Sequence, residues 1–308
     1  MTTPQPRSEL TGWTRFFHLK LRFGLSKLPF FPVRYRLRTP GFPDVFFYWT
    51  HVIPFMDPIR GAFDFELYGW DVRELRFLRR FLRPGMTFFD LGAHDGLYSI
   101  LAARCLGGSG SVRAFEPAPG PGRRLGWHRR MNRAAGLEIH RAAVGASQGP
   151  GDLYVPVRGI DTIGSLRAPG VGDGSTRKLT VEMVTLDGFM ASHPVRPPDL
   201  IKLDVEGAET AVLEGSVVLL ERHQPIWLFE ALDATSAAWG TSGRALVERF
   251  IALGHVIFEF EADGRLRPHA VRAHYPLDSN CNLLAVPPGR LPGIATLITG
   301  PGQDAPHA

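Results

Sequence analysis

The 308-residue sequence has few of the features that mark special classes of protein. Its two cysteines, Cys105 and Cys281, lie far apart, and we expect both to be reduced, buried thiols. No group of cysteines and histidines has the spacing of a zinc site. No run of about 18 apolar residues could span a membrane, and the amino terminus lacks the apolar core of a signal peptide. These absences predict a cytoplasmic protein.

The sequence also lacks a strong excess of charge of one sign. It has 35 basic and 30 acidic residues, a net charge of +5, and 44% hydrophobic residues, enough for a packed core. Much of the positive excess is arginine in two segments, 15–38 and 123–133. The second segment favours a solvated helix face over a nucleic-acid site, because Trp127 is its only stacking aromatic residue.

The most informative stretch is residues 86–100, where apolar residues lead into Asp90 and a turn of small residues precedes a further apolar run. This order predicts a buried strand, a tight loop and the start of a helix. Gly92 and Gly96 let the backbone approach a ligand closely. A helix that begins here directs unpaired N–H groups toward the loop.

A second strand is predicted over residues 111–117, ending in Glu116, 26 positions after Asp90. An acid at the end of the second strand of a doubly wound sheet binds ribose hydroxyls. A dinucleotide loop would place a glycine near position 94, where this chain has His94, and Asp90 would repel a pyrophosphate. An acid beside the loop suits the ammonium and sulfonium groups of S-adenosylmethionine (SAM).

Residues 198–209 predict another strand and then a helix. Lys202, Asp204 and Glu206 alternate along the chain and would share one side of an extended segment. Ligands bind at the carboxyl ends of strands in open α/β sheets. The alternative is a purely structural role, in which the lysine forms salt bridges with the two acids at the end of the strand.

The remaining chain alternates strands and helices, which predicts a doubly wound α/β sheet. A basic, aromatic helix at 10–28 could pack on its own protein, lie on a membrane surface or bind a partner. Further expected elements are strands at 34–38 and 45–51, a helix at 69–81, a third strand at 137–144, a loop-like stretch at 145–178 with a short strand at 153–157, strands at 181–186, 225–230, 255–261 and 281–286, and a helix at 243–253.

At these motifs the chain resembles the FkbM family of SAM-dependent methyltransferases. The matching pieces are FDLGAHDGLYS at 89–99, AFEP at 114–117, TLD at 185–187, IKLDVEGAE at 201–209, VLEG at 212–215 and NLLAVP at 282–287. The resemblance covers roughly residues 66–288. Position 94 is often asparagine in the family, so His94 is a mild departure.

The resemblance implies a class I methyltransferase core, a Rossmann-like, seven-stranded, mostly parallel sheet with the last strand antiparallel and helices on both faces. It divides the chain into an N-terminal extension and β-rich cap at 1–65, a methyltransferase domain at 66–288 and a flexible tail at 289–308. It also implies methylation of hydroxyls on sugars, polyketides or similar metabolites.

Site residues can be assigned by position in the family motifs. Asp90, Gly92 and Gly96, in the same loop as Ala93 and His94, would line the methionine part of SAM. Glu116 would hold the ribose, Ala142, Ala143 and Val144 would border the adenine, and Asp204 would close the methionine side and face the substrate.

An alcohol needs help to become a nucleophile. We expect Glu206 or Asp204 to take its proton, with Lys202 holding the carboxylates or stabilising the alkoxide. Asp204 and Glu230 could instead bind a divalent metal ion. An RNA methyltransferase and a non-catalytic SAM-binding subunit remain alternatives, and the sequence indicates neither the acceptor nor the oligomeric state.

Overall fold

A computed structural model describes residues 34–37, 45–48, 71–156, 166, 176–277 and 281–299. They belong to two units, Met1–Trp70 and Asp71–Ala308. In the first unit, β1 (Arg34–Leu37) and β2 (Val45–Tyr48) form an antiparallel pair, where the sequence predicts two strands. The predicted helix at 10–28 and the rest of the cap lie outside the described residues.

The second unit alternates strands and helices along the chain. In order, it contains α1 (Val72–Phe81), β3 (Thr87–Leu91), α2 (Leu97–Cys105), β4 (Ser111–Phe115), α3 (Pro119–Met131), β5 (Leu137–His140), β6 (Ala142–Val144), β7 (Gly149–Pro156), β8 (Thr176–Val184), α4 (Leu186–Ser192), β9 (Leu200–Leu203), α5 (Glu209–Glu214), β10 (Ile226–Glu230), α6 (Asp233–Ser236), α7 (Gly243–Ala252), β11 (Val256–Phe260), β12 (Leu266–Pro268), β13 (Asn282–Val286) and α8 (Leu291–Ile294). A π-helical turn spans Leu219–His223, and 3-10 turns span Ala237–Trp239, Pro288–Arg290 and Ala295–Leu297.

Eight of these strands form the main sheet in the order β5-β4-β3-β9-β10-β13-β11-β12. The first five are parallel, and β13 runs antiparallel between β10 and β11. This is the predicted mostly parallel sheet with an antiparallel last strand, and β12 adds an eighth strand at one edge. Strand order reverses at β3 and β9, the switch point at which open α/β sheets bind ligands.

The central strands are buried on both faces, which explains their continuous apolar runs. On one face, Phe89 and Ile201 pack in a core with α4, α5 and α7, to which Phe250 contributes. On the other face, Phe77 of α1 packs against Phe260 at a ring distance of 5.3 Å. Since side chains alternate along a strand, Asp90 and Lys202 project toward the second face.

The stretch at 137–156 differs from its prediction. The strand predicted at 137–144 is broken at the exposed Arg141, and β6 leaves the main sheet to pair with β8. β7 and β8 form a hairpin and, with β6, a three-stranded sheet; they overlap the strands predicted at 153–157 and 181–186 but begin four and five residues earlier, in the stretch predicted as loop. Glycine and proline at the start of β7, and exposed polar residues at the start of β8, hide the strand pattern.

The carboxyl-terminal end also differs from its prediction. Part of the segment expected to be a flexible tail is folded, since Ile294 of α8 is fully buried and Ile298 pairs with Leu266 of β12. Residues 289–299 therefore belong to the second unit, and 300–308 lie outside the described residues. Within the part of the chain that the structure describes, no helix has the length and apolar character needed to cross a membrane.

Candidate active site

A cavity of about 290 Å³ lies at the carboxyl ends of β3, β4 and β9. It brings together eleven of the twelve predicted site residues, namely Asp90, Gly92, Ala93, His94, Glu116, Ala142, Ala143, Val144, Lys202, Asp204 and Glu206. Ten further residues complete the lining: Asp71, Asp95, Leu97, Tyr98, Phe115, Pro117, Ala118, Leu153, Leu166 and Val205. Only Gly96 of the predicted set is absent from this lining.

The loop after β3 is wedged between the ends of its two neighbouring strands. Gly92 has a φ of +78°, and a Cβ atom there would lie 1.8 Å from the Asp204 carbonyl oxygen. The N–H groups of Gly92 and Ala93 both donate to the Phe115 carbonyl, at 3.0 and 2.9 Å. The N–H of His94 donates to Glu116 Oε2 at 2.8 Å. These three N–H groups already donate hydrogen bonds within the protein, so the loop shapes the cavity but does not use them to bind a ligand.

Gly96, which does not line the cavity, has a packing role. Its φ is +88°, and a Cβ atom would approach Leu125 Cδ1 of α3 to 2.1 Å. Next to it, Asp95 Oδ1 accepts from Arg124 Nε at 2.7 Å. The Asp95 carbonyl lies 2.6 Å from His128 Nδ1. Arginine in the basic helix α3 therefore anchors the loop, which gives Arg124 a structural role.

Asp90 is a buried carboxylate, and one of its two oxygens already accepts a hydrogen bond within the protein. Asp90 is only 1% exposed to solvent, and its Oδ2 atom accepts a hydrogen bond from Ser99 Oγ at 2.5 Å. Oδ1 has no hydrogen-bond partner among the described residues. Burial raises the pKa of Asp90, while the Lys202 ammonium and the Ser99 hydroxyl act to lower it. An unpaired buried oxygen of this kind is costly unless a ligand supplies a cation or a donor.

Lys202 is a buried cation. Its Nζ donates to Asp204 Oδ2 at 2.6 Å and lies 4.8 Å from the centre of the Tyr98 ring. Burial acts to lower the pKa of Lys202, but the carboxylates of Asp204 and Asp90 outweigh it and raise the pKa above its ordinary value. Lys202 therefore stays protonated and cannot act as a base.

Glu206 reaches the cavity by a turn and not by strand alternation. β9 ends at Leu203, and Glu206 and Gly207 have left-handed φ values of 56° and 97°. Glu209 Oε1 fixes this turn by accepting from the N–H groups of Val205 at 3.1 Å and Gly207 at 3.2 Å. A non-glycine residue held in the left-handed region stores strain, as functional residues often do. Burial, followed by the charges of Asp204 and Glu209, raises the pKa of Glu206 to about 8.

Glu116 closes the opposite side of the cavity. Its two oxygens accept the N–H groups of His94 and Ala118, each at 2.8 Å. Burial raises the pKa of Glu116 to about 7. Since each carboxylate oxygen can accept a second hydrogen bond, Glu116 can still bind a pair of hydroxyl groups.

The end of the cavity beyond Glu116 is apolar. Ala118, Ala143 and Leu153 are buried in one cluster with Val181, and Leu166 packs against it. Ala142 and Val144 flank this surface in the cavity lining. Its small side chains leave room for a flat, apolar ring.

The residues present fit SAM. The acidic end offers carboxylates to an ammonium and a sulfonium, Glu116 can bind ribose hydroxyls, and the apolar end can accept adenine. For the metal alternative, no group of three or more histidine, cysteine, aspartate or glutamate side chains in the described residues has the arrangement of a metal site.

Comparisons with known proteins agree with this fit. The family model described as the methyltransferase FkbM domain matches residues 90–261. The hexuronic acid methyltransferase AglP of Haloferax volcanii is 27% identical over 159 residues, which cover 49% of this chain and 62% of that protein. The chain thus spans less than two thirds of this relative's length.

Two solved structures match this chain at low similarity. The methyltransferase FkbM from Methylobacillus flagellatus KT is 16% identical with a TM-score of 0.42, and the match covers 66% of this chain and 44% of that one. The O-methyltransferase from Bacillus cereus, solved in complex with S-adenosylhomocysteine (SAH), is 11% identical with a TM-score of 0.42 and coverages of 70% and 81%.

Proposed function

The chain belongs to the FkbM methyltransferase family, whose model matches more than half of its residues, and we propose that it methylates a hydroxyl group on a sugar or glycan, with SAM as the donor. The observation that carries this proposal is one cavity that joins Asp90, Glu116 and Glu206 from the ends of three neighbouring parallel strands. A polar ligand with a cation at one end and a ribose in the middle matches that order.

Each part of the cavity has a task in this proposal. Asp90, Gly92 and Asp204 hold the methionine part of SAM, with Ala93 and His94 beside them. Glu116 binds the ribose hydroxyls, and the surface formed by Ala142, Ala143 and Val144 borders the adenine. When bound, SAM supplies an electrophilic methyl group, so the chain's own residues need only position the acceptor and remove its proton.

Glu206 is the general base in this proposal. It lines the cavity on a fixed turn, and its raised pKa makes its carboxylate a stronger base than an ordinary one. Lys202 holds Asp204 through its 2.6 Å hydrogen bond, which leaves Glu206 as the carboxylate of this segment without a direct ammonium partner in the described structure. The hydroxyl proton passes to Glu206 as the oxygen gains its new bond.

A sugar acceptor is supported by the relative from Haloferax volcanii, which is a hexuronic acid methyltransferase. We propose that residues 29–65 and 145–178 select the acceptor. Most of both segments lies outside the described residues, although Leu153 and Leu166 of the second line the cavity.

Calorimetric titration with SAH, followed by methyl transfer to a panel of uronic acids and neutral sugars, tests this function. We expect micromolar SAH binding by the wild-type chain and loss of binding in Asp90→Ala, because Asp90 Oδ1 is the buried oxygen at the cation end that has no partner among the described residues. Folded wild-type protein that binds no SAH would overturn the proposal. SAH binding with transfer only to RNA would favour the nucleic-acid alternative.

The segment at 10–28 lies outside the described residues, and for it we propose contact with an anionic membrane surface, as a lipid-linked glycan acceptor would require. Its basic and aromatic residues suit such a surface. Co-flotation of the full chain with anionic liposomes, lost in the double variant Lys20→Glu and Arg22→Glu, would support this. Equal flotation of both proteins would refute it.

A further inference from the structure

Asp71 is a half-buried acid at the cation end of the cavity that none of the predicted motifs contains. It precedes α1, 19 positions before Asp90, and it lines the same cavity as Asp90 and Lys202. Asp71 therefore adds a third aspartate, beside Asp90 and Asp204, at the cation end of the site.

The ordinary structural role of an aspartate at this position is absent. Asp71 occupies the N-cap position of α1, where aspartate normally accepts a backbone N–H of the first turn. In the described structure its side chain makes no such capping bond, and its φ of 63° is left-handed. Helix capping thus does not explain the carboxylate.

The side chain is instead held toward the cavity by residues of other elements. Asn282 Nδ2 of β13 donates to Asp71 Oδ1 at 3.1 Å. Burial raises the pKa of Asp71, whereas the Lys202 ammonium and the nearby Tyr98 hydroxyl act to lower it. Asp71 thus shares the single ammonium of Lys202 with Asp90 and Asp204.

These contacts leave the cation end of the site short of positive charge. Lys202 is bonded directly to Asp204 at 2.6 Å, so Asp71 and Asp90 receive only its longer-range attraction. Buried carboxylates are stabilised when a bound cation completes their partners. We propose that Asp71 binds the α-ammonium group of SAM together with Asp90, and that Asn282 orients it; this inference rests on the proposed function.

The test compares SAH with methylthioadenosine, which has the same adenosine and thioether but neither the ammonium nor the carboxylate of the amino acid. In Asp71→Asn, we expect SAH affinity to fall by about 10- to 100-fold, the value of a charge-assisted hydrogen bond, with methylthioadenosine affinity unchanged. Asn282→Ala should weaken SAH by a smaller factor in the same selective way. The control is Glu74→Gln, which removes a buried acid of α1 that does not line the cavity and should leave the ratio of the two affinities unchanged.

The outcomes of this test distinguish a failure of the proposed role of Asp71 from a failure of the proposed function. Wild-type protein that binds neither ligand would overturn the proposed function itself. Wild-type binding of both ligands, with equal losses or no loss in Asp71→Asn, would overturn only the role of Asp71. Because methylthioadenosine reports an intact adenosine site, unchanged affinity for it also shows that the variant is folded.

Discussion

Replacing Gly92 with alanine tests whether the loop after β3 must touch the end of β9 for the site to form. The added Cβ would lie 1.8 Å from the Asp204 carbonyl oxygen, and real Cβ atoms essentially never approach closer than 3.0 Å. The two backbone segments must therefore separate by more than 1 Å. The N–H of Asp204 donates to Leu91 at 3.2 Å, so this movement strains the sheet contact beside it.

Two costs add in this variant, and a matched glycine separates them. Gly85 has a φ of +87°, close to the +78° of Gly92, but no atom lies within 4 Å of a Cβ built there. The left-handed backbone costs an alanine about 1–2 kcal/mol at either position. Only Gly92→Ala adds the steric contact, and a shift of about 1 Å in a binding site can reduce its performance about 100-fold.

Urea unfolding and calorimetric titration with SAH measure the two effects. We expect Gly85→Ala to lose about 1–2 kcal/mol of stability and to bind SAH like the wild type. Gly92→Ala should lose more stability and bind SAH at least about 100-fold more weakly, or about 2.7 kcal/mol. A folded Gly92→Ala protein that binds SAH within about threefold of wild type would refute the steric reasoning.

Three further predictions follow from the same contacts. Glu206→Gln should lower kcat, measured by methyl transfer, by about 100-fold or more. Its SAH dissociation constant, measured by calorimetry, should stay within about threefold of the wild-type value. An unchanged kcat would show that Glu206 is not the base. Ser99→Ala removes the 2.5 Å hydrogen bond to Asp90 and should lower the free energy of unfolding, measured by urea denaturation, by about 1–3 kcal/mol. An unchanged free energy of unfolding would show that Asp90 finds another partner. Burial raises the pKa of Glu74 to about 7, so its contribution to stability is full below pH 4.5 and is lost as the pH rises through 7. Glu74→Gln should accordingly exceed the wild type in stability by up to about 3 kcal/mol at pH 8 and converge with it toward pH 4.5; parallel pH curves in chemical denaturation would contradict the shift.

The parts of the fold that the sequence predicts well are those with a local cause. Buried parallel strands need apolar side chains on both faces, so β3 and β9 stand out as short apolar runs. Asp90 is the penultimate residue of β3 and Glu116 directly follows its parallel neighbour β4, so both acids lie at the same edge of the sheet. Asp90 and Glu116 could thus be assigned to one site before any contact was known.

The first residues of β7 and of β8 had no such local signal. β7 begins with Gly149, Pro150 and Gly151, and β8 begins with exposed polar residues, so neither start shows an alternating apolar pattern. The pairing of these strands with each other, and of β8 with β6, defines them. Such pairing connects residues far apart in the chain and is not visible in a window of a few residues.

Contacts between distant residues are hidden from the sequence for the same reason. Gly96 belongs to the same glycine motif as Gly92, yet one faces Leu125 of α3 and the other faces Asp204 at the cavity. Asp71 looks like an ordinary N-cap until Asn282, more than two hundred positions later, fixes its carboxylate.

The charges of the cavity follow from how these distant elements meet. Lys202, Asp204 and Glu206 could neutralise one another if they shared one side of a strand, as their alternation suggests. The strand instead ends at Leu203, and the left-handed turn at Glu206 separates it from the bonded pair of Lys202 and Asp204. Asp71 enters from the residue before α1 and Asp90 from β3, and the described lining residues contain no lysine or arginine besides Lys202. The fold therefore leaves a surplus of carboxylates in the cavity, and a cationic donor such as SAM balances that surplus better than a neutral or anionic ligand could.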